Sequence, residues 1–316
     1  MNWTASAGIA IFASWLVLAL VVRQGHLPED TPNQRSLHRK PVPRGGGIAI
    51  WAGMIAATVS FAPAQGWFAP LLLIIAVSWW DDRHGVPVAL RLGAQIVSAL
   101  AVLHLPGAGW SAVLALLAIV WMTNLYNFMD GSDGLAATMT VVGFGAYAFA
   151  GARAGMHDAP VSGAIAAATL PFFARNFPPA RIFLGDVGAV PLGFMAAVLG
   201  IEGVETGAWP WWFPELVFLP FIADATITLL RRVAGGANVL RAHRDNYYQR
   251  LVRLGLGHRG TLLLYAALML GSTASALAAL LRGASAGPAV LALWFVGLML
   301  LYSGIGYHWR KNQRFE

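Results

Sequence analysis

The chain has 316 residues, of which 11% are charged and 58% are hydrophobic, with a net charge of +7. A soluble globular domain carries about 25% charged residues, so this composition excludes a water-exposed globule, and the apolar content also excludes a disordered or collagen-like chain. There is no Cys, which excludes disulfides, thiolate catalysis and Cys-based metal sites. We therefore predict an all-α, polytopic integral membrane protein in which residues 1–316 form a single domain.

Apolar runs broken by charge, Gly and Pro predict about 11 transmembrane helices, because a span needs about 20 mainly apolar residues. The predicted spans, in chain order, are 4–22, 46–63, 66–80, 92–105, 110–124, 135–152, 159–174, 187–202, 211–230, 260–281 and 288–307. With the N-terminus outside and the C-terminus inside, every Lys and Arg except Arg153 and Arg282 falls on the inner side, as the positive-inside rule requires. The functional face is thus predicted to be cytoplasmic.

A glycine run precedes the second span, in Pro43-Arg44-Gly45-Gly46-Gly47. Backbone N–H groups exposed at the N-terminus of a helix bind anions, so this segment predicts a phosphate contact. A single glycine can equally mark a turn or tight helix packing, which is common in membranes.

Five acids lie at predicted inner helix ends. Asp81 and Asp82 follow the third span, Asp130 and Asp133 lie between the fifth and sixth, and Asp186 begins the eighth. Neighbouring carboxylates repel one another unless a cation lies between them, and Mg²⁺ or Mn²⁺ takes oxygen ligands from Asp and phosphate. We favour an acidic site for a metal and phosphate over the alternative that these acids only cap the sixth and eighth helices.

The last inner loop is the most basic, running from Arg231 to Arg259. Around His243 and Arg244 it mixes arginines with Asp, Asn and two Tyr, which suits a diphosphate or sugar hydroxyls better than lipid head groups alone. The remaining histidines, His258 among them, show no metal-ligand spacing and are interpreted as interfacial or packing residues.

These motifs, taken in order between about Arg35 and Arg250, resemble the polyprenyl-phosphate N-acetylhexosamine-1-phosphate transferases of glycosyltransferase family 4. That family is related to phospho-N-acetylmuramoyl-pentapeptide transferase, and the predicted span count is more similar to its branch that initiates O-antigen and teichoic acid synthesis. The resemblance implies transfer of a HexNAc-1-phosphate from a UDP-N-acetylhexosamine to undecaprenyl phosphate, with release of UMP. It also implies a bacterial inner-membrane enzyme that initiates synthesis of O-antigen, the lipopolysaccharide polysaccharide, or of another cell-wall or envelope glycan.

The resemblance further implies residue roles. Asp186 is the best Mg²⁺ ligand, Mn²⁺ being an alternative ion, with Asn127 and Asp130 beside it. Asp81 or Asp82 would deprotonate or orient the lipid phosphate, and Asp133 would complete the diphosphate environment. The implied substrate-binding residues, of which Asn176 and Phe183 would hold the uracil, are Arg44, Gly46, Arg91, Asn124, Asn127, Asn176, Phe183, His243 and Arg244.

One departure from the family pattern concerns the donor sugar. Many relatives carry a His cluster in the last loop, whereas here His243 is followed by Arg244, Asp245 and Asn246. This departure points to a deoxy or otherwise modified HexNAc. A second departure, Ala189 in place of a small hydroxylated residue, affects local packing.

Two other functional classes share some of these sequence features. A secondary transporter also places acids and broken helices in the membrane, but these acids cluster at one face, with Asp224 as the exception. A phosphotransferase with CDP-linked donors would show an Asp-Gly followed by Ala-Arg, which is absent after Asp130 and Asp186. Besides donor and acceptor, the expected partners are membrane lipids and no nucleic acid, with a homodimer left open.

Overall fold

The computed structural model describes residues 3–25, 27–32, 37, 40–59, 65–103, 110–237 and 243–312, and most of them are helical. The outer ends of the second and fourth predicted spans, at 60–63 and 104–105, lie outside these residues, as do 238–242 of the last inner loop. The helices are α1 (Trp3–Gln24), α2 (Gly47–Thr58), α3 (Phe68–His84), α4 (Val88–Val102), α5 (Trp110–Phe128), α6 (Leu135–Ala154), α7 (Ala159–Asn176), α8 (Asp186–Glu205), α9 (Trp212–Val217), α10 (Leu219–Ala234), α11 (Tyr247–Leu251), α12 (Gly257–Leu281) and α13 (Gly287–Asn312).

The helices confirm an all-α polytopic membrane protein. Among the described residues, six helical stretches are long and apolar enough to cross a membrane, namely α1, α5, α6, α8, the stretch from α11 to the end of α12, and α13. Two further apolar helices, α2 and α4, have 12 and 15 residues. At a rise of about 1.5 Å per residue α2 is only about 18 Å long, which is short for a hydrocarbon core of about 30 Å.

Each predicted span contains a helix, most boundaries shift by a few residues, and three of the differences affect the site. The ninth span is two helices, because the chain breaks at Phe218 and restarts with Pro220 near the beginning of α10, where its missing N–H is tolerated. The third helix continues to His84, so Asp81 and Asp82 lie in its last turn. Before the tenth span, α11 and a kinked segment (Val252–Leu256) join the loop to α12.

A short strand pair was not predicted. Strand β1 (Glu29–Asp30) pairs antiparallel with β2 (Val42–Pro43), which leads directly into the glycine run.

The centre of the bundle is α8. It is the most buried of the candidate spans and packs against α2, α3, α5 and α6, whereas α1 and α13 are the least buried. Gly47 in α2 and Gly188 in α8 bring the two helices so close that a Cβ on either would clash with the other backbone. The N-terminus of α8, where Asp186 lies, is therefore surrounded by the inner ends of neighbouring helices.

Candidate active site

Asp82, in the last turn of α3, accepts hydrogen bonds from the first residues of α8. Its carboxylate accepts hydrogen bonds from the backbone N–H groups of Asp186 and Val187, each at 3.0 Å. Arg44 pairs with it, with 3.1 Å between Nη2 and Oδ1, and also donates to the Asp82 carbonyl at 3.0 Å. A carboxylate at a helix N-terminus satisfies free N–H donors and complements the helix dipole. Asp82 thus has a structural function, because both oxygens are engaged and its side chain is fully buried.

The helix-capping alternative is wrong for Asp130, Asp133 and Asp186. Within the described chain, α6 and α8 begin after Gly134 and Gly185, and neither of those cap positions carries a local side-chain cap. Gly185 has a φ of +76°, and a Cβ there would lie 2.7 Å from Asp82 Oδ2, so only glycine lets Asp82 reach the helix end.

Arg91, in α4, joins two further acids. Its Nη1 lies 2.7 Å from Asp81 Oδ2 and 3.5 Å from Asp186 Oδ2. The other Asp81 oxygen accepts a hydrogen bond from the Val86 N–H at 2.6 Å. Arg91 remains about one third exposed, so an incoming phosphate can reach the guanidinium. The structure therefore brings Asp81, Asp82 and Asp186 together around the two arginines that the family resemblance implied.

The glycine run does not offer its N–H groups to an anion, contrary to the prediction. Gly45 and Gly46 both donate to the Phe183 carbonyl, at 3.1 and 2.9 Å, and Gly47 donates to the Leu184 carbonyl at 3.0 Å. Gly46 is needed for space, because a Cβ would lie 2.5 Å from the Phe172 ring. The predicted substrate contact of Gly46 is thus corrected to a packing contact that fixes Arg44 beside Asp82.

Asp130 contrasts with these paired acids. It lies in the loop between α5 and α6, and its carboxylate accepts no hydrogen bond from any residue that the structure describes. Burial raises the pKa of Asp130 well above its ordinary value, and the negative charges of Asp186, Asp82 and Asp133 raise it further. An acid in this position would be stabilised by a cation.

Asp133 pairs with His258 in α12. The distance between Asp133 Oδ1 and His258 Nδ1 is 3.4 Å, and Asp133 Oδ2 accepts a hydrogen bond from the Ala180 N–H at 2.9 Å. The same His258 nitrogen lies 3.1 Å from the Ser132 hydroxyl. Asp133 therefore connects the loop before α6 to α12, and His258, predicted to be only interfacial, is part of this connection.

Asn176 also has a structural function. Its Oδ1 accepts from the Gly134 N–H at 2.9 Å, and its Nδ2 donates to the Ile182 carbonyl at 2.8 Å. The side chain is buried and ties two loops together, while its contact with uracil stays a prediction. Phe183 is half-buried beside Arg44, with which it forms a parallel bridge.

An apolar cavity of about 400 Å³ leads to the acids from the side of the bundle. Leu92 and Leu117 at its wall are exposed on the outer surface of the protein, so the cavity opens where lipid would lie. Its polar end holds Asp81, Arg91 and Asn127. The remaining lining residues are Ile74, Val77, Ser78, Val88, Ala94, Gln95, Val120, Trp121, Asn124, Phe128, Val190 and Leu229.

Two amides pair across this cavity. Asn124 Nδ2 donates to Gln95 Oε1 at 2.6 Å, and Gln95 Nε2 returns a longer bond of 3.4 Å. Gln95 was missed from the sequence, although a lone amide within an apolar helix is a signal of a polar partner. Asn127, one turn after Asn124, lies on the same wall of the cavity.

The last inner loop contacts the same region through a buried acid. The Asp224 carboxylate accepts from the backbone N–H groups of Tyr247 and Tyr248, at 2.7 and 3.0 Å, and from the Tyr265 hydroxyl. Tyr248 in turn donates its O–H to the Phe128 carbonyl at 3.0 Å. Asp224 thus fixes the loop against the segment that carries Asp130.

His243 and Arg244 are half-buried in that loop. The His243 ring lies 6.3 Å from the Phe128 ring, at the edge of the cavity. Burial lowers the pKa of His243, and the neighbouring Arg232 and Arg231 lower it further. A neutral imidazole can accept a hydrogen bond from a sugar hydroxyl, whereas Arg244 supplies a fixed positive charge.

The described residues contain no group of three or more His, Asp or Glu side chains placed to hold a metal ion. Mg²⁺ does not need such a cage, because it usually keeps several waters and binds through one or two carboxylates together with substrate phosphates. The two candidate carboxylates are Asp130, which has no hydrogen bond among the described residues, and Asp186, whose negative charge helps to raise the pKa of Asp130.

Comparisons with known proteins show which family this chain is similar to. The family described as glycosyl transferase family 4 matches residues 64–204. A decaprenyl-phosphate N-acetylglucosaminephosphotransferase of Mycolicibacterium smegmatis is 28% identical, over 82% of this chain and 76% of the relative.

Two further relatives carry related names. An undecaprenyl-phosphate alpha-N-acetylglucosaminyl 1-phosphate transferase of Yersinia pestis is 26% identical over 73% of this chain and 71% of its own. A phospho-N-acetylmuramoyl-pentapeptide-transferase of Geobacillus kaustophilus is 31% identical over 50% of this chain and 60% of its own.

Proposed function

The chain belongs to glycosyl transferase family 4, whose relatives here transfer N-acetylhexosamine-1-phosphate to polyprenyl phosphates, and we propose that its donor is a UDP-N-acetylhexosamine and its acceptor undecaprenyl phosphate. An oxygen of the lipid phosphate attacks the β-phosphorus of the donor, UMP leaves, and a polyprenyl-diphosphate sugar remains. The product would begin an envelope polysaccharide such as O-antigen, in the bacterial inner membrane.

One observation carries this proposal: the polar end of an apolar, laterally open cavity coincides with the acid network. A polyprenyl chain can lie along Leu92 and Leu117 while its phosphate reaches Arg91. Arg91 already bridges Asp81 and Asp186, so a phosphate that exchanges for one carboxylate keeps the guanidinium paired. Asp81 is then placed to accept a proton from the phosphate or to orient it.

Mg²⁺ would be held by Asp186 and Asp130, with the amide oxygen of Asn127 as a further ligand. Bound there, the ion would neutralise charge on the transferring phosphoryl group, where catalysis depends mainly on positioning and electrostatics. The residues of the chain align the two substrates: Arg44 and Arg91 hold phosphate oxygens, and His243 and Arg244 approach the donor from the last loop. Phe183, half-buried next to Arg44, remains the candidate to stack on uracil.

The last loop supports a modified sugar. It offers one neutral imidazole and Arg244 where the family resemblance implies a His cluster, so fewer sugar hydroxyls would find an acceptor nitrogen. We infer that a deoxy-HexNAc or another modified HexNAc is preferred over UDP-GlcNAc.

The test uses purified full-length protein, undecaprenyl phosphate, Mg²⁺ and a panel of UDP-HexNAc donors, with UMP release as the readout. We expect release with at least one donor, none with phosphate-free undecaprenol, and none after chelation of the metal. UMP release from no donor would refute the donor assignment, and unchanged release after chelation would refute the metal assignment. Glu205→Gln, at the exposed outer end of α8, is the matched control for changes at Asp186.

A further inference from the structure

Helix α4 carries the proposed phosphate contact, Arg91, yet little of this helix is buried in the bundle. Three of its 15 residues are buried, namely Gln95, Ser98 and Ala99, and two of those three are polar. Lipid tails are as apolar as the side chains of a membrane helix, so apolar burial does little to hold such a helix in place. Hydrogen bonds to neighbouring helices therefore have a large share in fixing α4, and Arg91 with it.

Each of the two buried polar residues bonds to a different neighbouring helix. Gln95 pairs with Asn124 in α5, where Asn124 Nδ2 donates to Gln95 Oε1 at 2.6 Å. Ser98 Oγ donates to the Pro70 carbonyl, in the first turn of α3, at 3.3 Å. The bond at Gln95 is the shorter one, and both of its partners line the acceptor cavity, whereas Ser98 does not.

The Gln95–Asn124 pair lies about one helical turn deeper in the membrane than the charged end of the cavity. Gln95 follows Arg91 by four residues on α4, which runs outward from the inner side of the membrane. Asn124 precedes Asn127 by three residues on α5, which runs back to that side. Residues three or four apart share one face of a helix, at a rise of about 1.5 Å per residue. Arg91 and Gln95 therefore line the cavity together, and the bond at Gln95 fixes the distance of Arg91 from α5.

We propose that Gln95 is a positioning residue for the acceptor and that it acts through Arg91. By holding α4 against α5, it keeps the Arg91 guanidinium beside Asp81 and Asp186, where a lipid phosphate can reach it. The inference rests on the proposed function in one respect, namely that the ligand of the cavity is a prenyl phosphate. Gln95 governs the phosphate and not the chain, because the chain lies along apolar residues further out in the cavity.

Binding of the acceptor in the absence of a donor tests the proposal. Native mass spectrometry of the detergent-purified full-length protein compares retention of undecaprenyl phosphate with that of undecaprenol, which has the same chain and no phosphate. Gln95→Met keeps the length of the side chain and removes the hydrogen bond. We expect it to lower retention of undecaprenyl phosphate about threefold to tenfold, the range for an interhelical hydrogen bond in a membrane, and to leave undecaprenol unchanged. An equal loss of both lipids would mean that the cavity itself is damaged, which contradicts a role at the phosphate.

A double-mutant cycle shows whether Gln95 acts through Arg91. Arg91→Gln should lower retention of undecaprenyl phosphate at least as much as Gln95→Met does. The double variant should lose no more than Arg91→Gln alone, because the arginine that Gln95 positions is then absent. Losses that multiply in the double variant would mean that the two residues act independently, and they would overturn the proposal.

Ser98→Ala is the matched control, since it removes the other buried hydrogen bond of α4 from outside the cavity. Ser98 lies about 10 Å from Arg91 along the helix axis, so we expect retention to change by less than about twofold. A loss as large as that in Gln95→Met would show that any loosening of α4 is sufficient, and the specific role of Gln95 would be refuted.

Steady-state kinetics of UMP release separate this inference from the proposed function. In Gln95→Met the KM for undecaprenyl phosphate should rise by a similar factor, while kcat and the KM for the UDP-sugar stay within about twofold of wild type. If the wild type releases no UMP from any donor, the proposed function fails, and the binding comparison still decides the role of Gln95. A rise in the KM for the UDP-sugar alone would place Gln95 with the donor and contradict the inference.

Discussion

Two acids at the same end of the bundle, Asp82 and Asp130, are held in opposite ways. Asp82 is paired with Arg44 and accepts two backbone N–H groups at the start of α8. Asp130 accepts no hydrogen bond from the described residues and faces other negative charges. A carboxylate whose oxygens are all hydrogen-bonded or paired contributes to stability. A carboxylate that lacks hydrogen bonds and lies among like charges lowers stability and is retained for chemistry. The comparison separates the residues that build the site from those that act in it.

The largest expected effect is on turnover. Asp186→Asn or Asp130→Asn should lower the rate of UMP release about 1,000-fold or more, because each removes a negative oxygen from the proposed metal site. Unfolding of Asp130→Asn in detergent should occur at the same temperature as in wild type or higher, since a buried charge is lost. Glu205→Gln, in α8 with Asp186, serves as the control for both. Near-normal rates in Asp186→Asn would refute its assignment as a metal ligand.

The second effect is on stability and concerns Asp82. Asp82→Asn leaves Arg44 partly unpaired and turns an amide N–H toward a backbone donor, so we expect a loss of about 3 kcal/mol in the free energy of unfolding. Denaturant unfolding of the detergent-solubilised protein measures it. If Asp82→Asn is as stable as wild type yet inactive, Asp82 acts in catalysis and the distinction between the two acids fails.

The sequence placed these acids at the same predicted depth, because each ends or begins an apolar run, but it did not show that they meet in space. The sequence could not distinguish the role of Asp81 from that of Asp82, because the two are neighbouring residues of the same type. Asp82 meets backbone donors more than 100 positions later in the chain, at Asp186 and Val187, and only packing of α3 on α8 creates that contact. Tertiary contacts of this kind leave no local pattern.

The same limit explains the corrected and missed residues. Asn176 and Gly46 match a motif, but their polar groups are used within the protein, toward Ile182 and Phe183. His258 showed no spacing signal because its partner, Asp133, is on another loop. The role of Asp224 was not assigned from the sequence. Its carboxylate accepts hydrogen bonds from the backbone N–H groups of two tyrosines, which explains why an acid is buried there.

A smaller effect is expected where the last loop meets the Asp130 segment. Tyr248→Phe removes the hydrogen bond to the Phe128 carbonyl, which contributes about 1 kcal/mol. If that bond positions the loop over the donor, the KM for the UDP-sugar should rise while the KM for undecaprenyl phosphate stays constant. Tyr307→Phe, exposed on α13, is the matched control. Equal changes in both KM values would indicate a general loss of structure.

The smallest effect is a pH dependence of stability at His243. Burial lowers the pKa of His243, Arg232 and Arg231 lower it further, and Asp245 opposes them. The unfolded chain therefore binds this proton more tightly than the folded protein does. The contribution of His243 to the free energy of unfolding is complete above the unfolded pKa of about 6.5 and is lost as the pH falls below that value.

His243→Gln should accordingly lose less thermal stability between pH 7.5 and 5.5 than wild type. His308→Gln, which changes an exposed histidine, should match wild type. Identical pH profiles for wild type and His243→Gln would mean that the imidazole is not held in its neutral form beside the two arginines, and the argument that it accepts a sugar hydroxyl would fail with it.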